Sequence, residues 1–499
     1  MQQEMEHKMK RVIIIGAGMA GLTAGFYAAK NGFDTTIFEA HSLPGGLCTG
    51  WWRSGYYFEG CFHYIRLLGT SKTSMFHKLW KDLGVLEKLR LVSQDYIQAF
   101  RDGSGRELRV FVDPERLRKE LTRLSPSDAK RASELCKAIR SCYWFTHTAG
   151  LNLLKLSMKF VNIAAALRFL FKYGSLSLKE YAANFDDPLI RHALESMFDY
   201  DEISCVQLPM FLGLYRGEGV NFPVGGSLAL AKVVADTATC AGAKIVYRTA
   251  VSEIIKSDGR ASGVRLADGS IQDADIVISA SDGYGTLFRL LGGSHFPPRY
   301  SDLYARQPVY TAFIQVSLGL SMDVGQLPSV LRQKTAKPFF IAGEQRDEIC
   351  LVHYGYDSAI SGNGKDSLVV LYKTDFDWWK SIEYHSPEYK EAKDSILRTT
   401  LGVLEEFLPG ITSKVAVSDI STPYTTIRYT GNYRAGLGFI PTVTYMQELR
   451  SQRFTLDSLD NFYMAGQWVS GMGVPNAALS GRRVVQAICK SEKRRFLGV

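Results

Sequence analysis

The sequence predicts an α/β fold built from three separated chain segments around an inserted second domain. The chain opens with an apolar run at 11–15, a glycine cluster, a helix-like stretch at 22–30 and a second apolar run at 34–38. Short strand-like runs separated by turn dipeptides return at 223–293, and a strand, a glycine-rich loop and a helix follow near the end of the chain. This alternation favours a parallel sheet covered by helices, as in a Rossmann-like domain.

The glycine cluster at 16–21 has the spacing of a dinucleotide-binding turn. Gly16 permits the tight turn after the strand, Gly18 lets the backbone approach a pyrophosphate, and Gly21 lets the helix pack closely on the sheet. The pyrophosphate would then lie on the free N–H groups at the helix N-terminus. Glu39, at the end of the second strand, is placed to accept hydrogen bonds from ribose hydroxyls. We therefore predict a bound dinucleotide.

A second glycine cluster, Pro44-Gly45-Gly46-Leu47, follows shortly after Glu39. The two clusters together favour FAD over NAD as the dinucleotide. Only one complete dinucleotide fingerprint is present, so a separate NAD(P) domain is not predicted.

We divide the chain into an FAD-binding domain, made of 1–70, 223–293 and 431–499, and an inserted α+β substrate domain, made of 71–222 and 294–430. The first insert looks mainly helical, and the second alternates between strand-like and helix-like runs. The local patterns predict strands at 245–247, 251–256, 263–266, 276–278, 310–318, 367–374 and 462–465, and helices at 228–240, 386–407 and 476–490. This interleaving would place the inserted domain over the cofactor, where a substrate binds.

Composition indicates a globular protein with more than one domain: 499 residues, 46% hydrophobic and 22% charged. The net charge of +9 is spread along the chain without a recognition motif, so we expect no nucleic-acid partner. The eight cysteines form no CxxC pair, which favours reduced thiols over a disulfide framework or a zinc site. Residues 1–10 lack the apolar core of a secretory signal, so we expect a cytoplasmic protein. Its oligomeric state is left open.

The stretch at 151–173 mixes apolar residues with four basic ones, Lys155, Lys159, Arg168 and Lys172. It lacks the unbroken apolar run of about 20 residues that a bilayer span needs. An amphipathic helix on a membrane surface fits the pattern. The alternative is a helix that faces the protein core or a hydrophobic substrate tunnel, since the apolar face alone does not separate the two cases.

Six stretches, taken together, resemble the FAD-dependent group that contains phytoene desaturases, carotenoid isomerases and retinol saturases, within the flavin amine-oxidase-like superfamily. They are IIIGAGMAGLTAG (13–25), LPGGLCTGWWRSGYYFEGCFHY (43–64), FPVGGSLALAKVV (222–234), GRASGVRLADGSIQDADIVISASD (259–282), STPYTTIRYTGN (421–432) and YMAGQWVSGMGVPNAALSGR (463–482). Their order and spacing extend over the whole chain. The chain departs from the group's desaturases at Leu47, at Glu59 and at Gln467.

The resemblance implies a set of cofactor-binding positions. The ADP half of FAD would be held by Gly16, Ala17, Gly18, Met19, Ala20, Gly21, Glu39 and Ala40, with Val251 on the adenine side. The pyrophosphate and ribityl chain would pass Gly45, Gly46, Leu47 and Cys48. The isoalloxazine would lie near Gly60, Cys61, Phe62 and His63, and would be closed over by Gly466, Gln467, Gly473, Val474 and Asn476.

Flavin would supply the difficult chemistry, and the helix that begins near Asn476 would stabilise the negative charge of the reduced ring. The candidate catalytic residues are His63 and Tyr64, because they follow the motif on the flavin side. A second aromatic group, at 353–356, lies on a predicted strand of the inserted domain. Oxygen, a quinone, a carrier protein and transiently bound NAD(P)H all remain open as electron partners.

The leading hypothesis is an FAD enzyme that adds, removes or rearranges hydrogen at carbon–carbon double bonds of a lipophilic substrate, such as an isoprenoid polyene. One alternative is a flavin amine oxidase that attacks a C–N bond with oxygen as acceptor. A redox-neutral double-bond isomerase and a non-catalytic lipid-binding flavoprotein are the other two.

Overall fold

The structure is a computed structural model. It describes residues 9–63, 68–69, 72, 75–147, 156–198, 200, 203–310, 313–361, 364–440, 442 and 454–498.

The strands are β1 (Arg11–Ile15), β2 (Asp34–Phe38), β3 (Gly50–Arg53), β4 (Tyr56–Glu59), β5 (Leu91–Gln94), β6 (Tyr96–Arg101), β7 (Glu107–Phe111), β8 (Val220–Pro223), β9 (Lys244–Val246), β10 (Val251–Ser257), β11 (Arg260–Leu266), β12 (Ile271–Asp273), β13 (Ile276–Ser279), β14 (Ile314–Leu320), β15 (Val330–Ile341), β16 (Glu344–His353), β17 (Asp366–Tyr372), β18 (Val415–Ser421), β19 (Thr455–Leu456) and β20 (Leu459–Met464).

The helices are α1 (Met19–Lys30), α2 (Met75–Asp82), α3 (Val85–Lys88), α4 (Pro114–Leu124), α5 (Ala129–His147), α6 (Leu156–Tyr173), α7 (Leu178–Ala182), α8 (Pro188–Glu195), α9 (Gln207–Glu218), α10 (Gly226–Cys240), α11 (Arg299–Arg306), α12 (Phe376–Lys380), α13 (Pro387–Glu405), α14 (Pro423–Thr430), α15 (Gln467–Ser470) and α16 (Val474–Ser491). Short 3₁₀ turns span Pro126–Asp128, Ile411–Lys414 and Tyr433–Ala435, and a π turn spans Gly285–Leu290.

The first sheet has the strand order β10-β11-β20-β13-β1-β2-β9. From β20 to β9 neighbouring strands are parallel, with β1 at the centre. Ile14 of β1 lies between Ile37 of β2 and Ile278 of β13, and all three side chains are fully buried. Such continuous apolar strands are typical of a parallel sheet covered on both faces. A Cβ atom at Gly25 of α1 would lie only 2.5 Å from the Ile37 side chain, so this glycine lets α1 lie close to the sheet.

The second sheet has the strand order β18-β14-β17-β16-β15-β6-β7 and is antiparallel except between β15 and β6. Every residue of β14 and of β17 is buried. Side chains of α13, such as Leu404, pack into the same core as these two strands. The Gln315 side chain of β14 donates to the Glu59 backbone carbonyl of β4 over 2.8 Å, which fixes this sheet beside the hairpin formed by β3 and β4.

The predicted α/β fold is confirmed, and predicted elements match closely where the pattern is local, as in the helix predicted at 386–407 and observed as α13. The interpretation of 71–222 as mainly helical was incomplete, because β5–β8 also lie there and β6 and β7 belong to the second sheet. The strand predicted at 310–318 begins only at Ile314. The domain boundaries stay a prediction, although each of the two large sheets draws its strands from one of the two predicted sets of segments.

Helix α6 has buried and exposed aromatic residues in its last turns. Phe169 is buried in the helical core of the insert, whereas Phe171 is 86% exposed, with Leu167 and Leu170 also exposed beside it. Within the described ranges, no helix combines the length and apolar character that crossing a membrane requires.

Candidate functional site

A cavity of about 1270 Å³ lies at the carboxyl ends of the parallel strands. Gly16, Glu39, Ala280 and Gly466, which follow β1, β2, β13 and β20, all line it. In open α/β sheets, ligands bind outside the carboxyl ends of the strands where the strand order reverses. Strands β2 and β13 lie on opposite sides of β1, so the cavity occupies that position.

The first glycine cluster forms the turn that was predicted for it. Gly16 has a φ of +95°, and a Cβ atom at Gly21 would lie 1.9 Å from the Gly16 carbonyl oxygen. Gly18 is the N-cap of α1 and offers no side-chain cap. The first N–H groups of α1 therefore have no intrahelical partner and form an anion-binding end beside the cavity.

Glu39 is held in place by backbone donors. Its Oε2 accepts a hydrogen bond from the Ala17 N–H at 2.6 Å, and its Oε1 accepts one from the His41 N–H at 2.8 Å. An ionised carboxylate has about four acceptor positions, so Glu39 retains acceptor capacity on the side that lines the cavity. This arrangement orients the carboxylate before any ligand arrives.

The second glycine cluster touches the first. The Gly45 N–H donates to the Ala17 carbonyl at 2.8 Å, and a Cβ atom at Gly45 would lie 2.2 Å from the Cys48 carbonyl oxygen. Gly46 has a φ of +61°, and its Cβ position lies 3.4 Å from the Gly18 Cα atom. A side chain at Gly45 or Gly46 would fill the space between the two clusters. Because both residues are glycines, the two clusters form one open cradle that fits a pyrophosphate.

The C-terminal segment adds a second helix N-terminus to the cavity. Helix α16 starts at Val474, with Gly473 as an N-cap that offers no side-chain cap, and both residues line the cavity. Asn476 does not line it: its side chain donates to the Met472 carbonyl at 2.9 Å. Asn476 therefore secures the preceding loop, and the helix begins two residues earlier than expected.

The predicted cofactor-binding residues that line the cavity are Gly16, Gly18, Met19, Ala20, Glu39, Ala40, Gly45, Gly46, Leu47, Cys48, Gly60, Cys61, His63, Val251, Gly466, Gln467, Gly473 and Val474. Ala17, Gly21, Phe62 and Asn476 do not line it. Phe62 is fully buried, and Gly21 lies behind the turn against Gly16. Tyr64, the second candidate catalytic residue, lies outside the described residues.

The structure brings His63 together with Tyr354 from the distant aromatic group. The Nδ1 atom of His63 lies 2.9 Å from the Tyr354 hydroxyl oxygen. His63 is 9% exposed and lines the cavity, whereas Tyr354 is fully buried. His353 is used differently, because its Nε2 contacts the Leu327 carbonyl at 2.7 Å. The cavity wall therefore contains an imidazole oriented by a buried phenol.

Glu59 is a buried residue whose role the sequence did not indicate. Its carboxylate accepts hydrogen bonds from the N–H groups of Cys61 at 2.9 Å, Phe62 at 3.1 Å and Ser227 at 2.8 Å, and from the Ser227 hydroxyl. Burial raises the pKa of Glu59, and these hydrogen bonds counteract that rise. Glu59 thus ties the loop before His63 to the first turn of α10. One sequence signal could have indicated this role: the residue is acidic, ends an apolar strand and comes immediately before a glycine.

The remaining lining of the cavity is mixed and comes in part from the insert. It includes the aromatic and aliphatic side chains of Phe198, Tyr310, Phe313, Leu371, Trp468 and Met472, and the charged side chains of Arg53, Asp282, Arg289, Lys393, Asp419 and Arg428. Single-ligand pockets usually have volumes of about 300–1000 Å³. The observed volume exceeds that range.

The chain was compared with known proteins. It is 24% identical over 499 residues to the phytoene desaturase (neurosporene-forming) of Cereibacter sphaeroides, covering 93% of this chain and 92% of that protein. It is 24% identical to the chloroplastic prolycopene isomerase of Arabidopsis thaliana, covering 98% of this chain and 84% of that protein. These relatives confirm the resemblance drawn from the motifs.

Among solved structures, an oxidoreductase from Methanosarcina mazei matches with a TM-score of 0.62 at 18% identity, over 95% of this chain and 100% of that one. This likeness shows a shared fold. The family model for flavin containing amine oxidoreductases matches residues 19–489. The chain therefore belongs to the family of flavin-containing amine oxidoreductases.

Proposed function

We propose that this protein is an FAD enzyme that adds, removes or rearranges hydrogen at carbon–carbon double bonds of a lipophilic polyene. The observation that supports this proposal most directly is one cavity in which a dinucleotide cradle adjoins aromatic and aliphatic side chains and His63, which is paired with the buried Tyr354. The relatives named as a phytoene desaturase and a prolycopene isomerase support a substrate of the isoprenoid class.

In this proposal, FAD would be held at the carboxyl ends of the first sheet. The N-terminus of α1 and the Gly45–Gly46 turn would hold the pyrophosphate, and Glu39 would accept from a ribose hydroxyl. Gly60, Gly466 and Gly473 line the cavity, and the isoalloxazine would lie beside them. FAD supplies two-electron hydride chemistry when bound.

The protein's own groups then act by orientation and electrostatics. The uncapped N-terminus of α16 places positive partial charge at the cavity, where it stabilises an anionic ligand. Glu59 holds the loop that carries His63 through the N–H groups of Cys61 and Phe62.

His63 is the proposed proton-exchanging group. If the Tyr354 hydroxyl donates to Nδ1, the neutral imidazole carries its proton on Nε2. That proton can be delivered to, or recovered from, a carbon or oxygen of the substrate. Tyr354 acts through His63 and is a positioning residue.

The test is to incubate the FAD-loaded protein, once with oxidised flavin and once after anaerobic reduction by dithionite, with partially saturated and with cis-configured isoprenoid polyenes, and to follow absorption and product mass. With oxidised flavin we expect a desaturase to lengthen the conjugated chromophore, and with reduced flavin we expect a saturase to shorten it or an isomerase to rearrange it. A red shift with loss of two hydrogens identifies a desaturase, and an isomer of unchanged mass identifies an isomerase. No change with any polyene would contradict the proposal.

The family description favours one second candidate, an amine oxidase with oxygen as acceptor. It predicts amine-dependent peroxide formation in air. Peroxide formed from amines, together with inert polyenes, would establish this candidate in place of the first. Flavin that binds but turns over neither class would indicate a non-catalytic lipid-binding flavoprotein.

We further propose NAD(P)H as a transient electron donor for a saturase or a reductively activated isomerase. Anaerobic addition of NADPH and then NADH to the FAD-loaded protein tests this. Bleaching of the visible flavin band supports a nicotinamide donor. An unchanged band, with flavin still reducible by dithionite, would favour a quinone or oxygen as partner.

Peripheral membrane contact through α6 completes the proposal. The exposed side chains of Leu167, Leu170 and Phe171 are interspersed with Arg168 and Lys172, a composition that suits an anionic lipid surface. Each of the eight cysteines is a free thiol, which supports a cytoplasmic location. Sedimentation with anionic vesicles tests the contact, and Phe171→Glu should reduce the bound fraction. Equal sedimentation of both proteins would refute it.

A further inference from the structure

Gln315 lies on the wall of the cavity that the second sheet forms. Its neighbours in the ladder are Leu371 of β17 and Ser421 of β18. Directly opposed residues of an antiparallel pair have their side chains on the same face of the sheet, and all three residues line the cavity. This row therefore faces the space beside the dinucleotide cradle, and none of its residues belongs to that cradle.

Two hydrogen bonds fix the Gln315 side chain. Its Nε2 donates to the Glu59 backbone carbonyl over 2.8 Å and to the Ser317 hydroxyl over 2.9 Å. A backbone carbonyl can only accept, so the side of the amide that faces Glu59 must be the nitrogen. An amide nitrogen has two N–H groups, and both are used. The oxygen, Oε1, is therefore held on the other side of the amide.

This oxygen is an acceptor that the protein itself does not use. Among the residues that the structure describes, none donates a hydrogen bond to Oε1 of Gln315. Gln315 is only 6% exposed, yet Oε1 is not sealed from solvent, unlike the unpaired polar atoms buried elsewhere in the described chain. Because the residue lines the cavity, the acceptor is accessible from that space. A ligand that brings a donor to it avoids the cost of burying an acceptor without a partner.

The Ser421 hydroxyl adds a donor beside this acceptor. Ser421 lies directly opposite Gln315 and is partly exposed, and the described residues form no hydrogen bond with its side chain. Opposed Cα atoms in an antiparallel pair are about 4.5–5.5 Å apart. A hydroxyl group both donates and accepts, so one alcohol group of a ligand matches the two residues together.

We propose that Gln315 is a specificity-determining residue whose carbonyl oxygen accepts a hydrogen bond from a hydroxyl group of the lipophilic substrate. Ser421 donates to the oxygen of the same hydroxyl group. The amide of Gln315 is uncharged, so it suits a neutral donor, whereas a buried ammonium group requires a charged partner. This inference rests on the proposed function and narrows its substrate class to molecules that carry a hydroxyl group.

The test measures binding of three probes to the FAD-loaded protein with oxidised flavin under anaerobic conditions. The probes are geranylgeraniol, its methyl ether, and the hydrocarbon in which hydrogen replaces the hydroxyl group. Trp51 and Trp468 line the cavity, so quenching of tryptophan fluorescence reports its occupancy. We expect the alcohol to bind about 5- to 100-fold more tightly than the ether, because the ether brings no donor to Gln315. The ether should bind more tightly than the hydrocarbon, because Ser421 can donate to its oxygen.

Two variants assign these preferences to their residues. Gln315→Met removes the acceptor, so the alcohol and the ether should bind equally. Ser421→Ala should keep the preference for the alcohol over the ether and weaken both relative to the hydrocarbon. Each ratio is taken within one protein, so a general loss of affinity cancels. Gln307→Met is the matched control: Gln307 also donates to a backbone carbonyl but does not line the cavity, and its ratios should equal those of wild type.

Equal binding of the alcohol and the ether by the wild-type protein would overturn the proposal. A wild-type ratio in Gln315→Met would do the same, and a flavin midpoint potential that shifts in that variant would then assign Oε1 to the flavin. The wild-type comparison needs no variant, so misfolding of Gln315→Met cannot obscure it. These outcomes are read from binding, whereas failure of the proposed function appears as unchanged polyenes in the turnover test.

Discussion

At the scale of single residues, Glu39 should set the affinity for the dinucleotide. Glu39→Gln removes a charge that hydrogen bonds to the ribose would use, and such charge-assisted bonds contribute about 1.5–3 kcal/mol. We expect roughly a 10- to 100-fold weaker FAD affinity, measured by fluorescence titration of the flavin-free protein. Asp34→Asn, at the exposed start of the same strand, is the matched control and should bind normally. Equal FAD affinities for both variants would show that Glu39 does not bind the dinucleotide.

His63 should carry proton exchange, with Tyr354 orienting it. His63→Ala should lower turnover by about 10²–10⁴-fold, the usual contribution of general acid–base catalysis, while leaving FAD bound. Tyr354→Phe should cause a smaller loss and change the pH profile, because it alters the hydrogen bond to Nδ1. Tyr356→Phe tests a nearby phenol that packs on Phe222 and should leave the profile unchanged. A wild-type pH profile for Tyr354→Phe would show that Tyr354 packs beside His63 without orienting it.

At the scale of elements, the N-terminus of α16 should tune the flavin. Val474→Asp places a carboxylate at a helix position that lines the cavity, and it opposes the positive end of the helix dipole. We expect a lower flavin midpoint potential in spectroelectrochemical titration, equivalent to roughly 0.3–1 kcal/mol. Val474→Asn supplies similar shape without charge. Identical potentials for the two variants would show that the helix end does not face the reduced ring.

A buried ion pair joins the second sheet to the helical insert. Glu348 on β16 contacts Arg332 on β15 at 3.0 Å and His192 on α8. Burial raises the pKa of Glu348, but the hydrogen bond with His192 and the charge of Arg332 outweigh burial and lower the pKa to about 2. A depressed carboxyl pKa stabilises the fold above the unfolded value of about 4.3, and that contribution is lost as the pH falls towards 2.

Glu348→Gln should therefore reduce the free energy of unfolding by about 3–5 kcal/mol at neutral pH, where it leaves Arg332 without its charged partner. The difference from wild type should shrink as the pH falls below about 4, measured by urea denaturation. Asp347→Asn breaks the neighbouring exposed pair with Lys334 and should cost less than about 1 kcal/mol. A deficit for Glu348→Gln that does not change with pH would contradict the ionic explanation.

Across the whole molecule, structure formed by consecutive residues could be predicted from the sequence, whereas contacts between distant segments could not. The turn at Gly16 and Gly18 was predictable because its glycines, strand and helix are consecutive. Contacts between distant segments carry no such signal: His63 and Tyr354 are 291 positions apart, and Glu59 and Ser227 are 168 apart. Strand β15 was missed, and β16 was expected only near His353, because polar runs interrupt their apolar pattern, as at 332–334 of β15 and 344–348 of β16. The two strands nevertheless pair with each other as a hairpin.

The arrangement of the two sheets explains how one cavity can bind both a cofactor and a substrate. The first sheet supplies the glycine turns and Glu39, and the second sheet supplies Gln315 and Leu371 to the opposite wall. The hairpin of β3 and β4 lies between them and carries Glu59, which is followed by Cys61 and His63. Cofactor and substrate would therefore meet where this hairpin joins the two sheets.

In the proposed function, flavin in this cavity exchanges hydrogen with a carbon–carbon bond of the substrate. The most direct measurement is an anaerobic single turnover in which the FAD-loaded protein is mixed with partially saturated isoprenoid polyenes and, separately, with primary amines. We predict that a polyene alters the visible flavin band and is recovered with two hydrogens fewer, or that after prior reduction of the flavin it is recovered as an isomer or with two hydrogens more. Bleaching by amines alone, with every polyene recovered unchanged, would contradict the account.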